Sequence, residues 1–298
     1  MTLLVTGAAG FIGRRVVDAA AAAGRPAIAV VRAGGQPVAG AARTAVADLA
    51  TPGWTDALPR DIEAVVHLAQ SRRYREFPDG SADVRRVNVD ATHELVDWAA
   101  RAGVRTFVHA STGSVYRDGP ALLREDDPTG PPDFYGASKL AGEWMVRPYA
   151  DRLAVRIARL FSVYGPEQAG MTVPNLIGRL QAGSALTLAG GQGLVLTPLY
   201  VDDCAAALLR LADGDEAAGL DVYNVAGDEV VDLRVLGTVL AEALGTTPTF
   251  QDVAGAPRHL AGDATRLRTA TGWRPAVALR EGCARTVAAM RLPAASAT

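Results

Sequence analysis

Residues 133–143 read DFYGASKLAGE and place a phenol, Tyr135, four positions ahead of an ammonium, Lys139. In a helix those two positions share one face. A free phenol has a pKa of about 10, too high to take a proton near neutrality, but a neighbouring ammonium favours the phenolate. Such a pair can give and take a proton at a hydroxyl; the plainer reading is two polar residues on an exposed helix. A second stretch with chemical content is VTGAAGFIG, where Gly7, Gly10 and Gly13 recur every third residue directly after an apolar run. Glycines so placed allow a tight turn and let the backbone approach a pyrophosphate, while the helix behind them presents free N–H groups and a partial positive charge. The alternative is an ordinary strand-to-helix connection.

These residues need elements to hold them, and the first half of the chain supplies an alternation. TLLVTG, PAIAVVR, IEAVVHLA, VRTFVHAS and LAVRIARL are short and apolar. Between them lie FIGRRVVDAAAAAG, YGASKLAGEWMVRPYA and DVRRVNVDATHELVDWAARAG, the last with Val84, Val87, Ala91, Leu95 and Trp98 at helical spacing. Strands alternating with helices predict an α/β fold with a parallel sheet covered on both faces. The second half is less regular. LTPLYVDD and DVYNVAG read as strands too apolar to stand alone, so the chain is expected to divide as a dinucleotide-binding domain over 1–165, with 194–226 returning to its edge, and a smaller lobe over 166–193 and 227–298. The terminal LPAASAT reads as a frayed tail.

Composition narrows the function. A net charge of −2 gives no electrostatic reason to expect nucleic acid or an anionic membrane. No apolar run reaches about 18 residues, and the start MTLLVTGAAG has no basic segment ahead of a long apolar one, so a cytoplasmic protein is expected. Cys204 and Cys283 lie far apart among alanines and read as small buried residues. His67, His93, His109 and His259 have no ligand spacing, so no metal is expected.

The second strand ends in Val31-Arg32. An acid near this point would bind a ribose 2′-hydroxyl; an arginine suits a 2′-phosphate. Arg32, with Arg14 just past the glycine loop, therefore leans the reading to NADP over NAD. Asp48 is placed to accept from an adenine amino group or to cap its own loop. Phe11, Ile12, Leu49, Leu68 and Ala69 adjoin these positions and complete the candidate cofactor contacts.

TGAAGFIG, VVHLA, VNVDAT, HASTGSVY, YGASK, RLFSVYGP, LYVDD and YNVAG follow one another in an order that resembles the extended short-chain dehydrogenase/reductases, the nucleotide-sugar epimerases, dehydratases and ketoreductases. The resemblance covers nearly the whole chain. It implies a Rossmann-type doubly wound parallel sheet with a smaller C-terminal substrate lobe, and a hydride exchanged between a sugar carbon and a nicotinamide. It makes Tyr135 the acid/base, Lys139 its tuning cation and anchor for the cofactor ribose, Thr112 the hydroxyl that orients the substrate oxygen, with Ser111 and Ser114 beside it, and Asn88 a support from the preceding helix. Dehydratases of the family place an acid pair after the threonine; Gly113 and Ser114 stand there. Members often pair two helices into a four-helix homodimer, here the one ending near Trp98 and the one carrying Trp144 and Met145.

The pattern breaks where such enzymes hold the diphosphate. Ser162 and Leu196 occupy positions that usually carry an asparagine and an arginine, Arg258 is a candidate for a second arginine, and Asn175 still matches. Arg72, with Arg73 and Arg75, offers another anion site or a basic surface loop. The leading expectation is an NAD(P)-dependent ketosugar reductase acting on a sugar or nucleotide-sugar. An NAD-dependent nucleotide-sugar epimerase and a non-catalytic NAD(P)-sensing protein are the alternatives.

Overall fold

The computed structural model describes residues 2–119, 122–214 and 217–291; the expected tail at 292–298 lies outside them. Seven parallel strands form the main sheet. Strands β1 (Leu3–Thr6), β2 (Ala27–Val31), β3 (Arg43–Val46), β4 (Ala64–His67), β5 (Thr106–Thr112) and β6 (Ala154–Leu160) follow one another along the chain. The edge strand Gly219–Val225 lies beside β6, and the order across the sheet is Gly219–Val225, β6, β5, β4, β1, β2, β3. The sequence reverses direction on either side of β1, which opens a crevice at the carboxyl ends of β1 and β4. Every residue of β1, β4 and β5 is buried, as expected for strands covered on both faces.

One apolar layer lies between the sheet and helices Phe11–Ala22 and Val201–Ala212, joining Val16, Val17 and Ala20 to Cys204, Ala205 and Leu208. The other joins β-strand residues such as Phe107 and Ile157 to Ala91, Leu95 and Trp98 of helix Ala91–Ala102. The expected apolar stripe of that helix is buried throughout, but the helix is not continuous: Arg86–Asp90 forms a π turn between Ser81–Arg85 and Ala91–Ala102. Trp98 belongs to this core and not to an outer face; it is 8% exposed.

The stretch 194–226 divides. Gly219–Val225 joins the main sheet, whereas Leu194–Leu196 pairs with Val231–Asp232 and Arg258–Leu260 in a three-stranded sheet. A third apolar cluster, with Ile177, Leu186, Leu236 and Leu240 at its centre, fills the space among these strands and helices Thr172–Gln181 and Leu233–Leu244. Among the described residues no helix is long and apolar enough to cross a membrane, and no three His, Cys, Asp or Glu side chains group as metal ligands.

Candidate active site

β1 ends at Thr6 and the chain turns at Gly7, whose φ of +67° favours glycine. A Cβ there would sit 2.8 Å from the Ala69 nitrogen, and one on Gly13 would sit 2.1 Å from the Gly7 carbonyl oxygen. Backbone thus stands where side chains would otherwise be, against the start of helix Phe11–Ala22. This turn forms one wall of a cavity of about 840 Å³, at the large end of the ~300–1,000 Å³ usual for ligand sites. Gly7, Gly10, Phe11, Ile12 and Gly13 line it from this side. Arg32, Asp48 and Leu49 line it beyond β2 and β3, and Leu68 and Ala69 line it beyond β4. The cradle fits a pyrophosphate and the run toward Arg32 fits the rest of an adenine dinucleotide.

Helix Phe134–Val146 forms the facing wall. It starts sharply because the Asp133 carboxylate accepts from the Gly136 N–H at 2.7 Å. Tyr135 and Lys139 lie one turn apart on its inner face and both line the cavity, with Ser111, Thr112 and Ser114 from the end of β5. The Tyr135 hydroxyl donates to Oε1 of Gln70 at 3.2 Å, and the Tyr74 ring lies 5.0 Å away. Burial pushes the phenol up to about 12, while the Thr112 hydroxyl acts in the opposite direction. The lowering expected from Lys139 does not emerge in the chain alone, because burial outweighs every neighbour.

Lys139 is 3% exposed. Burial brings its ammonium down to about 8 against the pull of Glu143. Its Nζ has no hydrogen bond among the described residues, so a buried cation faces the cavity with donors to spare. That is the second feature that fits a dinucleotide, whose ribose hydroxyls it can meet. Beneath it, Glu143 is fully buried and accepts from Ser111 Oγ at 2.6 Å and from Arg159 Nε and Nη2 at 2.9 and 2.7 Å. The ion pair ties β6, and the Ser111 hydrogen bond the end of β5, to helix Phe134–Val146.

Asn88 sits in the π turn, 1% exposed. Its side-chain Oδ1 accepts from the Ser71 N–H at 2.8 Å and its side-chain NH2 donates to Ser138 Oγ at 2.9 Å. Ser138 in turn donates to the Tyr135 carbonyl at 2.8 Å. One extra residue per turn is the local change that brings a buried amide between two elements, a usual setting for π turns.

Three expected residues lie elsewhere. Arg14 is not in the cavity wall; its guanidinium donates to the Ala9 carbonyl and pairs with Glu167 at 3.0 Å. Asn175 is exposed on the outer side of helix Thr172–Gln181, whose buried stripe of Val173, Leu176, Ile177 and Leu180 faces the lobe core. Arg258 is drawn to Asp118 at the surface, 3.8 Å away. Ser162 does line the cavity, in the left-handed region with φ of 43°. Asp48 lines it and caps its own loop, accepting from the Ala50 N–H at 3.0 Å. Of the basic loop, Arg73 is held by Glu76 and Arg75 by the Gly170 carbonyl, leaving Arg72 at the cavity without a hydrogen bond or ion pair among the described residues. Sequence reasoning missed Gln70, Ser138, Glu143 and Arg159. Only the i+4 step from Lys139 to Glu143 left a signal.

A model of the NAD dependent epimerase/dehydratase family matches residues 3–226. A UDP-glucose 4-epimerase from Mycolicibacterium smegmatis is 33% identical over 308 residues, covering 96% of this chain and 97% of the relative. A dTDP-glucose 4,6-dehydratase from Streptomyces griseus is 34% identical over 235 residues, 76% of this chain and 71% of its own. Among solved structures, MoeE5 in complex with UDP-glucuronic acid and NAD superposes with a TM-score of 0.83 at 30% identity, covering 98% of this chain and 99% of the other.

Proposed function

The chain belongs to the NAD dependent epimerase/dehydratase family and is an NAD(P)-dependent enzyme, and from that premise we propose that it epimerises a sugar by transient oxidation of one hydroxyl-bearing carbon. The observation that carries this reading is the convergence of Tyr135, Thr112 and Lys139 on the wall of the same cavity as the glycine cradle. Epimerisation moves ahead of the net ketosugar reduction expected from the sequence. The support is that a relative matching nearly end to end is a UDP-glucose 4-epimerase, whereas nothing specific favours a reductase among these relatives.

A bound nicotinamide would supply the hydride acceptor and donor. The residues of this chain handle the proton and the geometry. Thr112 holds the substrate oxygen by a hydrogen bond. Tyr135 takes the hydroxyl proton at its Oη and returns it after the carbon has presented its other face. Lys139, one turn away, stabilises the phenolate between those events. Asn88 and Ser138 fix the first turn of the helix that carries both. Dehydration is not proposed: a Cβ at position 113 would lie 2.5 Å from the Phe161 ring, which leaves no room for an acid next to Thr112.

One observation favours a second reading, ketosugar reduction with NADPH. Arg32 lines the cavity and its guanidinium makes no hydrogen bond or ion pair among the described residues, while Val31 beside it has no acceptor for a ribose hydroxyl. The two readings part in one experiment. Protein is incubated in parallel with a catalytic amount of NAD and a panel of UDP-, dTDP- and alkyl-linked sugars, and with NADPH and the corresponding ketosugars. An epimeric product with no net absorbance change at 340 nm supports epimerisation. Stoichiometric loss of NADPH with a ketosugar, and no epimer in any mixture, overturns it in favour of reduction.

A further inference from the structure

The Tyr135 hydroxyl donates to Oε1 of Gln70, on the loop after β4, at 3.2 Å. That contact suits the phenol and opposes the phenolate. A carbonyl oxygen only accepts, so it holds the proton on Tyr135 and would face a bare phenolate as one acceptor against another. A residue that gives and takes a proton at this hydroxyl needs a partner that changes with its charge.

Gln70 has the chemistry for that change. Its amide carries an acceptor at one end and two N–H donors at the other, on nearly the same shape. The contact with Tyr135 is its one side-chain hydrogen bond among the described residues, so no second bond fixes which end faces the phenol. The side chain stands in the cavity with Tyr74, Thr112 and Tyr135. The backbone on either side of it is anchored. The Ala69 N–H donates to Thr6 Oγ1 at 3.2 Å, and the Ser71 N–H to Asn88 Oδ1 at 2.8 Å. A half turn about the last side-chain bond therefore exchanges carbonyl for NH2 without moving the loop.

The other groups around Tyr135 are committed elsewhere. The Asp133 carboxylate disfavours the phenolate and caps the helix through the Gly136 N–H. From the loop after β4, Tyr74 disfavours it and sends its hydroxyl to Met171 Sδ, 3.7 Å away. Arg75 favours the phenolate, but its guanidinium is bonded to the Gly170 carbonyl at 2.7 Å. From β5, Thr112 favours it too, yet that hydroxyl is the one that holds the substrate oxygen. Lys139 acts through its charge one turn along the helix, and the lobe presents the uncharged Met171.

We propose that Gln70 serves Tyr135 in both protonation states: its carbonyl accepts from the phenol, and its turned NH2 donates to the phenolate that awaits the substrate proton. The proton passes between Tyr135 Oη and the substrate hydroxyl, and Gln70 neither gains nor loses one. The inference rests on the reading of Tyr135 as the acid/base and adds the partner that follows its charge.

The test compares wild type with Gln70→Leu, which keeps most of the bulk and loses both ends of the amide, and with Gln70→Glu, which adds a negative charge. Two quantities are read. One is the pH dependence of kcat. The other is the ultraviolet absorbance of the Tyr135 phenolate in NAD-loaded protein, each protein taken against its own Tyr135→Phe counterpart. A hydrogen bond to a charged group outweighs one between neutral groups by about a factor of ten, so in Gln70→Leu both titrations should move up by about one pH unit. Gln70→Glu should move them further, because a carboxylate repels the phenolate. Lys139, which burial brings down to about 8, has no such absorbance, so the spectroscopic reading assigns the shift to Tyr135. Melting curves show that both variants fold. Titrations equal to wild type in both variants, or a shift to lower pH in Gln70→Glu, overturn the proposal. Loss of turnover in Tyr135→Phe beside unshifted Gln70 variants would leave the acid/base reading standing and remove the part of Gln70, whereas wild-type turnover in Tyr135→Phe would remove both.

Discussion

The Asn88 amide donates to the Ser138 hydroxyl at 2.9 Å; both groups are buried, and Ser138 lies between Tyr135 and Lys139 on their helix. Asn88 also holds the Ser71 N–H, next to the Gln70 side chain that meets the Tyr135 hydroxyl. A single side chain therefore links the loop after β4 to helix Phe134–Val146.

Asn88→Ala should lower stability by about 1–3 kcal/mol, because it leaves the Ser71 N–H without its acceptor. It should also lower kcat more than it changes cofactor affinity. Ser138→Ala, which removes only one hydroxyl, should show a smaller version of both effects. Urea denaturation and steady-state kinetics check this; wild-type kcat in Asn88→Ala would remove the positioning role.

What could be read in the sequence was local. Tyr135 and Lys139 share a helix face by their spacing, and Gly7, Gly10 and Gly13 mark a strand-turn-helix by theirs. Contacts formed across the chain left no such mark. Gln70 reaches Tyr135 over 65 positions and Ser111 reaches Glu143 over 32. Arg14 is near the glycine loop in sequence, yet its guanidinium goes to Glu167, 153 positions away. The π turn at Arg86–Asp90 was hidden because the apolar stripe from Val84 to Trp98 stays buried on either side of it.

Arg32 should discriminate cofactors if it meets a 2′-phosphate. A charge-assisted hydrogen bond contributes roughly 1.5–3 kcal/mol, and ~1.4 kcal/mol is a factor of ten in affinity. NADP should then bind at least about tenfold more tightly than NAD, and Arg32→Ala should erase most of the difference. Calorimetry with both cofactors decides it. Equal affinities, or a preference for NAD, would make Arg32 a surface residue and strengthen the epimerase reading.

His67 is fully buried between the Thr6 and Thr92 hydroxyls, 2.6 and 2.9 Å away, and burial, with the nearby Lys139 charge, holds it down at about 3. Unfolded, it titrates near 6.5. Between those values the unfolded chain binds a proton that the folded chain refuses, so stability falls as pH drops below about 6.5, by up to ~1.4 kcal/mol per pH unit from this group. His67→Gln should show a shallower loss of stability from pH 6.5 to 4.5 than the wild type. Parallel losses in urea titrations would contradict the assignment.

Trp144 is 59% exposed on the outer side of helix Phe134–Val146, with the Arg147 guanidinium 5.0 Å from its ring. If two copies pair through this helix, Trp144→Glu should place a charge in an apolar contact and shift a dimer toward monomer. Light scattering at micromolar concentration is the check, and a wild type that is already monomeric removes the pairing.

The central claim is that Tyr135 carries the proton at the reacting hydroxyl. The direct measurement is turnover of Tyr135→Phe beside cofactor affinity in the same preparation. The ring stays, so cofactor affinity should be unchanged, while kcat should fall by ~10²-fold or more, the usual size of general acid–base catalysis. Wild-type turnover in Tyr135→Phe would contradict the claim.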